Sequence, residues 1–457
     1  MSQTETVANW IVDLKWEDLP AEVIEQAKRC LRDHLGCAAG GARSEPGRIA
    51  AKLALHWGGP GEATLMGGAE KVAARHAGFA NATMANALDF DDTYHGHPGA
   101  TVFPAALAAA EKWDVSGRDF LIAAIAGYEI TIRAMSRLKP IIGRYRDMWD
   151  LGTLQAYGAG AAVARLAGLD ANGVINVLGL LAGTAPVPLP RKQRYAGEGR
   201  SMLKSAYGWA VDAAIVAAEL TQAGFSGPGH VFDDNLGFWE ATDAPGFAGD
   251  LGQDWQIMRV EFKPYMACRF IHPVLQAVET IMERSGVEAS AVQRVQIDAF
   301  SLLADEHHYI LRPVSGTDAQ FSVPFTVASM LTDGALSPAT YEPTALHDQE
   351  LLNLADQVQV NIDPDFDSAY PKRLGARVEI FLKDGSSDTC MIEHPKGSAD
   401  QSFSDDELMR KFHALVDPLI GQTQARAANQ TLATLEQHGS LTSLTRLFTP
   451  ESLPKGS

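Results

Sequence analysis

"EFKPYMACRFIHP", residues 261–273, marks the place where the texture of the chain changes. Before it, from residue 18 to about 235, the sequence is Ala-rich with apolar positions at helical spacing. "LPAEVIEQAKRCLRDHLGCAAGG" is such a helix, and its closing Gly pair suits a C-cap. "VSGRDFLIAAIAGYEI" starts with Ser116 and carries Asp119 three residues later, the pattern of a capping box. "LQAYGAGAAVARLAGL" is small and apolar almost all round, so it predicts a buried helix that neighbours can approach closely. After residue 260 the period drops to two, in "VQRVQIDAF" and "VQVNI", and "ARVEIFLKDGSSDTCMI" reads as a hairpin turning at Asp384-Gly385. "HPVLQAVETIMERSG" and "FSVPFTVASMLTDG" between them read as helices, and residues 405–448 return to helix. The predicted layout is mainly α with an inserted α+β domain. A large helical domain takes residues 1–261 and 401–457, and a smaller α+β domain takes 262–400.

The rest of the chain narrows the function classes. Its 457 residues fit two or three domains, and 46% apolar against 21% charged residues is an ordinary globular composition. With 38 basic and 56 acidic residues the formal net charge is −18, which argues against nucleic acid or an anionic membrane as partner. Any anion site must therefore be assembled from scarce cations. No secretory signal and no apolar run of spanning length is visible. The four cysteines, Cys30, Cys37, Cys268 and Cys390, are too scattered for a disulfide framework or a common metal motif, so a reducing cytoplasm is expected.

Three clusters carry chemistry. "DFDDTYHGHP" packs Asp89, Thr93, His95 and His97 into one short stretch. His95 and His97 beside carboxylates are a plausible metal-ligand supply, but no recognised ligand spacing supports one. A helix end whose carboxylates bind backbone amides is the plainer alternative. An acid–base site accounts better for the mixture: Asp fixes a His tautomer, His moves a proton near neutral pH, and Thr93 orients a substrate carboxylate. In "LPRKQRYAGEGRSMLKSAYGW", Arg191, Lys192, Arg194, Arg200 and Lys204 meet a single acid, Glu198. That is either a solvated basic loop or a carboxylate-binding segment, since Arg grips carboxylates with paired hydrogen bonds. The opening stretch itself gathers Lys263, Tyr265, Cys268, Arg269 and His272 at the domain junction, where pockets are favoured. Lys263 is a base there if burial lowers its pKa and an anion clamp if not, while Cys268 alone reads as a small buried residue.

Together these stretches resemble the MmgE/PrpD family, which includes 2-methylcitrate dehydratase, cis-aconitate decarboxylase and iminodisuccinate epimerase. The resemblance runs through "NATMANALDFDDTYHGHPGA", "GTLQAYGAGAAVARLAGLD", "GFSGPGHVFDD", "KPYMACRFIHPVLQAVE", "FSVPFTVASMLTDG" and "ARVEIFLKDG". It implies a helical domain with a lid-like α+β domain, a homodimer, and chemistry without an iron–sulfur cluster; no cofactor or metal is expected. It further implies that Asp89, Thr93, His97, Lys204 and Lys263 are catalytic. The surrounding His95, Arg194, Arg200, Tyr265, Cys268, Arg269 and His272 would hold the substrate. The sequence departs from the decarboxylase branch at two positions, with Trp149 where that branch has a His before its "GT" helix, and Cys268 where it has a second His.

The function these features predict is a cofactor-independent lyase, a dehydratase or decarboxylase, acting on a small di- or tricarboxylate by proton transfer beside a carboxylate. An epimerase of a dicarboxylate is the nearest rival, because the same carbon then exchanges a proton on both faces. A non-catalytic helical binding protein is the rival from another class, and the clustering of His, Lys and Asp at separate places argues against it.

Overall fold

The computed structural model describes residues 1–94, 96–138, 151–184, 202–233 and 248–449. It is mostly helical, with one small mixed sheet. The helices that position the site are α1 (Ala21–Gly41), α2 (Ala74–Asn86), α3 (Gly99–Lys112), α4 (Gly117–Leu138), α5 (Leu151–Leu166) and α6 (Met202–Gln222). They pack around an Ala-rich core that includes Leu31, Leu35, Phe103, Phe120, Tyr128, Leu154 and Val211. Among the described residues no helix is long and apolar enough to cross a membrane.

The close approach expected of "LQAYGAGAAVARLAGL" occurs between α4 and α5. A Cβ on Gly158 would fall 1.8 Å from Thr131 Oγ1 and 2.4 Å from the Gly127 carbonyl oxygen. No larger side chain fits there without moving a helix. Ser116 caps α4, accepting from the Asp119 amide at 3.1 Å, while its hydroxyl donates to the Asp119 carboxylate at 2.6 Å. The Gly pair ending α1 is not a cap, which corrects the expectation from sequence. Both glycines lie inside the helix, and a Cβ on Gly41 would meet the Met84 carbonyl oxygen of α2 at 1.8 Å. They let α2 lie against α1.

Beyond the junction, α7 (His272–Ser285) and α8 (Val323–Asp333) cover one face of a four-stranded sheet. Its strands are β1 (Val292–Ala299), β2 (Val358–Ile362), β3 (Ala376–Leu382) and β4 (Ser387–Ile392), in the order β2-β1-β3-β4. β1 and β2 run parallel, with Ile297 opposite Val360, and the other pairs run antiparallel. The period of two places Val295, Ile297, Val378 and Ile380 against Val274, Val278, Val327 and Met330 in a second core. Gly385 turns the β3–β4 hairpin at φ +91. Finally α9 (Asp405–Ala433), interrupted at Gly421, returns to the first core through Leu408, Phe412 and Val416.

Gly158→Ala should lower unfolding stability by about 1–3 kcal/mol, the usual cost of overpacking. Urea denaturation of the two proteins measures it, and an unchanged midpoint would mean that α4 and α5 do not approach as described.

Candidate active site

The loop from 87 to 98 joins α2 to α3 and carries three aspartates with three different partners. Asp89 has φ +50, one of two non-glycine residues with positive φ among those described. Asp tolerates this left-handed conformation better than most residues. The twist turns its carboxylate inward, where it is 3% exposed. There it meets Lys263 Nζ at 3.3 Å, Lys204 Nζ at 3.8 Å and His97 Nε2 at 3.8 Å. Burial alone would push the Asp89 carboxyl up, but Lys263, Lys204 and His97 together hold it well below the usual carboxylate range. Lys263 also donates to the Asp89 carbonyl oxygen at 2.9 Å, and Lys204 to Asn86 Oδ1 at 3.3 Å. Burial, with Lys263 adding to it, lowers the pKa of Lys204, and Asp89 opposes that fall.

Asp91 serves His97. Its Oδ2 lies 3.0 Å from His97 Nδ1, and Asn86 Nδ2 donates to its Oδ1 at 2.9 Å. The carboxylate partner assigns the Nδ1 proton to this bond, which leaves Nε2 facing Asp89. The His97 amide donates to Gln155 Oε1 on α5 at 3.0 Å, and the Tyr207 ring of α6 packs edge-on against the imidazole at 5.4 Å. Burial pushes the Asp91 carboxyl up, but the contact with His97, with Lys263 nearby, keeps it low.

Asp92 faces away from this centre. It accepts from Tyr128 Oη on α4 at 2.7 Å and from the Gly99 amide at 2.9 Å. Burial, reinforced by Asp33, pushes its carboxyl up to about 8. Asp33 in turn pairs with Lys411 of α9 at 2.7 Å. The Lys411 ammonium also donates to the carbonyls of Phe90 at 2.6 Å and Lys263 at 3.1 Å. One side chain thus ties the aspartate loop to the junction segment that presents Lys263. A backbone bridge between Thr93 and Glu261, 2.9 Å in both directions, makes the same connection.

Comparisons with known proteins bear on the fold as a whole. The model of the MmgE/PrpD N-terminal domain matches residues 5–246, and that of the C-terminal domain matches residues 265–437. The chain belongs to the MmgE/PrpD family. A cis-aconitate decarboxylase-like protein of Aspergillus oryzae is 24% identical over 479 residues, covering 98% of this chain and 97% of its own. A cis-aconitate decarboxylase of Aspergillus terreus is 25% identical, covering 97% and 95%. The human cis-aconitate decarboxylase is 25% identical over 471 residues, covering 99% and 96%.

Of the residues singled out from sequence, Asp89, His97, Lys204 and Lys263 converge. Thr93 lies on the same loop, but its hydroxyl donates to the Gly96 carbonyl at 2.8 Å and so closes the loop. Tyr265, Arg269 and His272, expected to hold substrate, each make hydrogen bonds within and around the junction. Tyr265 Oη donates to Glu279 at 2.5 Å, and Arg269 binds Glu261 at 2.9 Å and the Lys396 carbonyl at 2.8 Å. His272 is fully buried, with Nε2 3.0 Å from the Ala267 carbonyl. Cys268 faces His308. His95, Trp149, Arg191, Lys192, Arg194, Glu198 and Arg200 lie outside the described residues. Sequence reading missed Asn86, Gln155 and Lys411. Asn86 stood within a quoted motif, whereas nothing in "DDELMRKFHALVD" distinguishes Lys411.

Asp89, Asp91 and His97 offer ligand atoms all within 4.8 Å of one another, close enough to hold a metal ion. The electrostatics disfavour one, because an added cation at Asp89 would face the ammoniums of Lys204 and Lys263. Chelation should therefore leave the melting temperature unchanged, since removing a ligand bound to the native state lowers it. Stoichiometric divalent metal in the purified protein, with stability or activity lost on its removal, would refute this.

Asp89→Asn removes the only carboxylate that touches both lysines among the described residues. Unfolding stability at neutral pH should fall by about 3–5 kcal/mol, as when one partner of a buried ion pair is deleted. Because the folded carboxyl is held low, this contribution is present above the unfolded-state pKa and is lost as pH falls through the folded one. The difference between wild type and Asp89→Asn in urea titrations should thus shrink on acidification. A difference that grows in acid would contradict the pairing.

Proposed function

We propose that the protein is a cofactor-independent lyase acting on a small di- or tricarboxylate through negative charge developed beside a carboxylate. The observation carrying this reading is the convergence of Lys204, Lys263 and His97 Nε2 on one buried carboxylate, Asp89. Two fixed ammoniums in a buried site match what an enolate-like intermediate needs, because preorganised positive groups stabilise charge where water is excluded. The same groups attract substrate carboxylates in the ground state.

His97 supplies the proton traffic. With Nδ1–H donating to Asp91, Nε2 is the ring nitrogen left to act as a base. In a dehydration, Nε2 takes the proton next to the carboxylate, the electron pair moves into the new double bond, and hydroxide leaves the neighbouring carbon as water after protonation. In a decarboxylation, carbon dioxide leaves first, and the imidazolium form returns a proton to the carbanion. Both routes place the developing charge against Lys204 and Lys263. The relatives described above, cis-aconitate decarboxylases, support a lyase working on a polycarboxylate.

The test is a panel of di- and tricarboxylates incubated with the protein in deuterated water, with products and label followed by NMR. Exchange or turnover of none of them would remove the reading. On the substrate found, His97→Gln should reduce turnover by at least about a hundredfold, as usual for a general acid–base group. Lys263→Ala should lower kcat and kcat/KM together, the signature of an interaction made in the transition state. A rise in KM alone would make Lys263 a ground-state clamp. Lys263→Arg separates charge from proton transfer, since guanidinium stays protonated. Near-wild-type kcat in that variant would leave Lys263 an electrostatic role only.

A further inference from the structure

Cys268 opens the turn Arg269–Ile271 that leads into α7, and its backbone is fixed by donation from its amide to the Gln320 carbonyl at 2.9 Å. Its sulfur lies 3.6 Å from His308 Nε2. The other ring nitrogen of His308 faces the Leu302 carbonyl at 2.8 Å and Asp305 Oδ1 at 3.3 Å. The imidazole is thus held from behind by two acceptors, with its free edge towards a thiol. Burial opposes a charge on His308, but the bonds to Asp305 and Cys268 outweigh it and raise the pKa to about 9. An imidazolium beside a thiol at this distance favours the thiolate.

The pair adjoins the lysine-lined centre. The Phe321 ring lies 6.1 Å from the His308 ring on one side and 6.0 Å from Lys204 Nζ on the other. The charged and titratable groups around the pair are Asp305, Lys204 and His307, whose ring packs edge-on against His308 at 6.3 Å. The other cysteines differ. Cys30 and Cys37 are buried, and burial pushes their thiols up, while Cys390 is half-buried on β4.

We infer that Cys268 and His308, aligned by Asp305, form a thiolate–imidazolium pair, with Cys268 the nucleophile towards small carboxylates that carry an electrophilic carbon. With a haloacetate the sulfur supplies the electron pair, an S–C bond forms, the carbon–halogen bond breaks, and halide leaves. With an α,β-unsaturated acid the S–C bond forms at the β carbon and the π pair moves to the α carbon. The His308 proton then completes the addition there. Lys204 supplies the attraction for the carboxylate. The inference does not depend on the lyase reading.

The experiment uses the full-length protein with iodoacetamide and iodoacetate, and peptide mass spectrometry to follow each cysteine separately. At pH ~6 the neutral reagent should modify Cys268 at least about tenfold faster than Cys390, because only an ion-paired thiol is ionised there. His308→Gln should remove that advantage. The preference for iodoacetate over iodoacetamide should be higher at Cys268 than at Cys390, and should fall in Lys204→Met while the iodoacetamide rate persists. Should His308→Gln fail to fold, the ultraviolet thiolate absorbance lost in Cys268→Ser gives the same answer without it. That difference should already be present at pH ~6 and should vanish only in stronger acid. Modification of Cys268 no faster than Cys390, or no thiolate absorbance assignable to Cys268 at that pH, overturns the inference.

Discussion

The buried carboxylate of Asp89 constrains the rest of the molecule. It is charged, almost fully enclosed, and reached by ammoniums from two distant parts of the chain, Lys204 on α6 and Lys263 at the junction. None of the three can be buried alone without a cost that would undo folding, so each is stable only when the others arrive. The end of α2, the start of α6 and the junction segment are therefore held in one arrangement by charge balance. Apolar packing alone would tolerate small slips between them. The left-handed backbone at Asp89 belongs to the same constraint, because it turns the carboxylate towards the lysines.

A second layer supports the first. Lys411 reaches from α9 to the carbonyls of Phe90 and Lys263, one residue from Asp89 and the backbone of its partner. Asp33 neutralises Lys411, and its nearness to Asp92 reinforces the burial that keeps that neighbour protonated up to about pH 8. Three adjacent aspartates thus have separate duties. One balances the lysines, one orients the imidazole, and one stays neutral and holds Tyr128 and the start of α3. Their different surroundings, not their chemistry, divide the work.

Much of this was legible in the sequence because it depends on periodicity. The switch from a helical period to a period of two around residue 262 yields the strands, since Val295, Ile297, Val378 and Ile380 alternate onto one covered face. The Gly40-Gly41 pair was misread because a capping glycine and a packing glycine look alike until the facing helix is known. Within the site, Asp89, His97, Lys204 and Lys263 could be picked out by residue type and by the family resemblance. Tyr265, Arg269 and His272 could not be separated from them, since a junction needs polar anchors as much as a pocket does. His308 lay in "ADEHHYI", where two histidines beside acids carry no spacing signal. Only the return of that loop to Cys268 gives it meaning.

Charge counting says what the described centre still needs. Asp89 and Asp91 are held ionised, and with Lys204 and Lys263 as ammoniums they sum to neutrality, to which a protonated His97 adds one positive charge. A dicarboxylate brings two negative charges into this volume, and a tricarboxylate three, so the lysines alone do not compensate them. Arg191, Lys192, Arg194 and Arg200 run in sequence up to Lys204, in a chain that otherwise carries a large acidic excess. Under the proposed function, arginines of this segment would recognise substrate charge and the buried ammoniums would be reserved for charge that develops during the reaction. That division lets binding and turnover be tuned separately, because ground-state attraction and transition-state stabilisation then rest on different side chains.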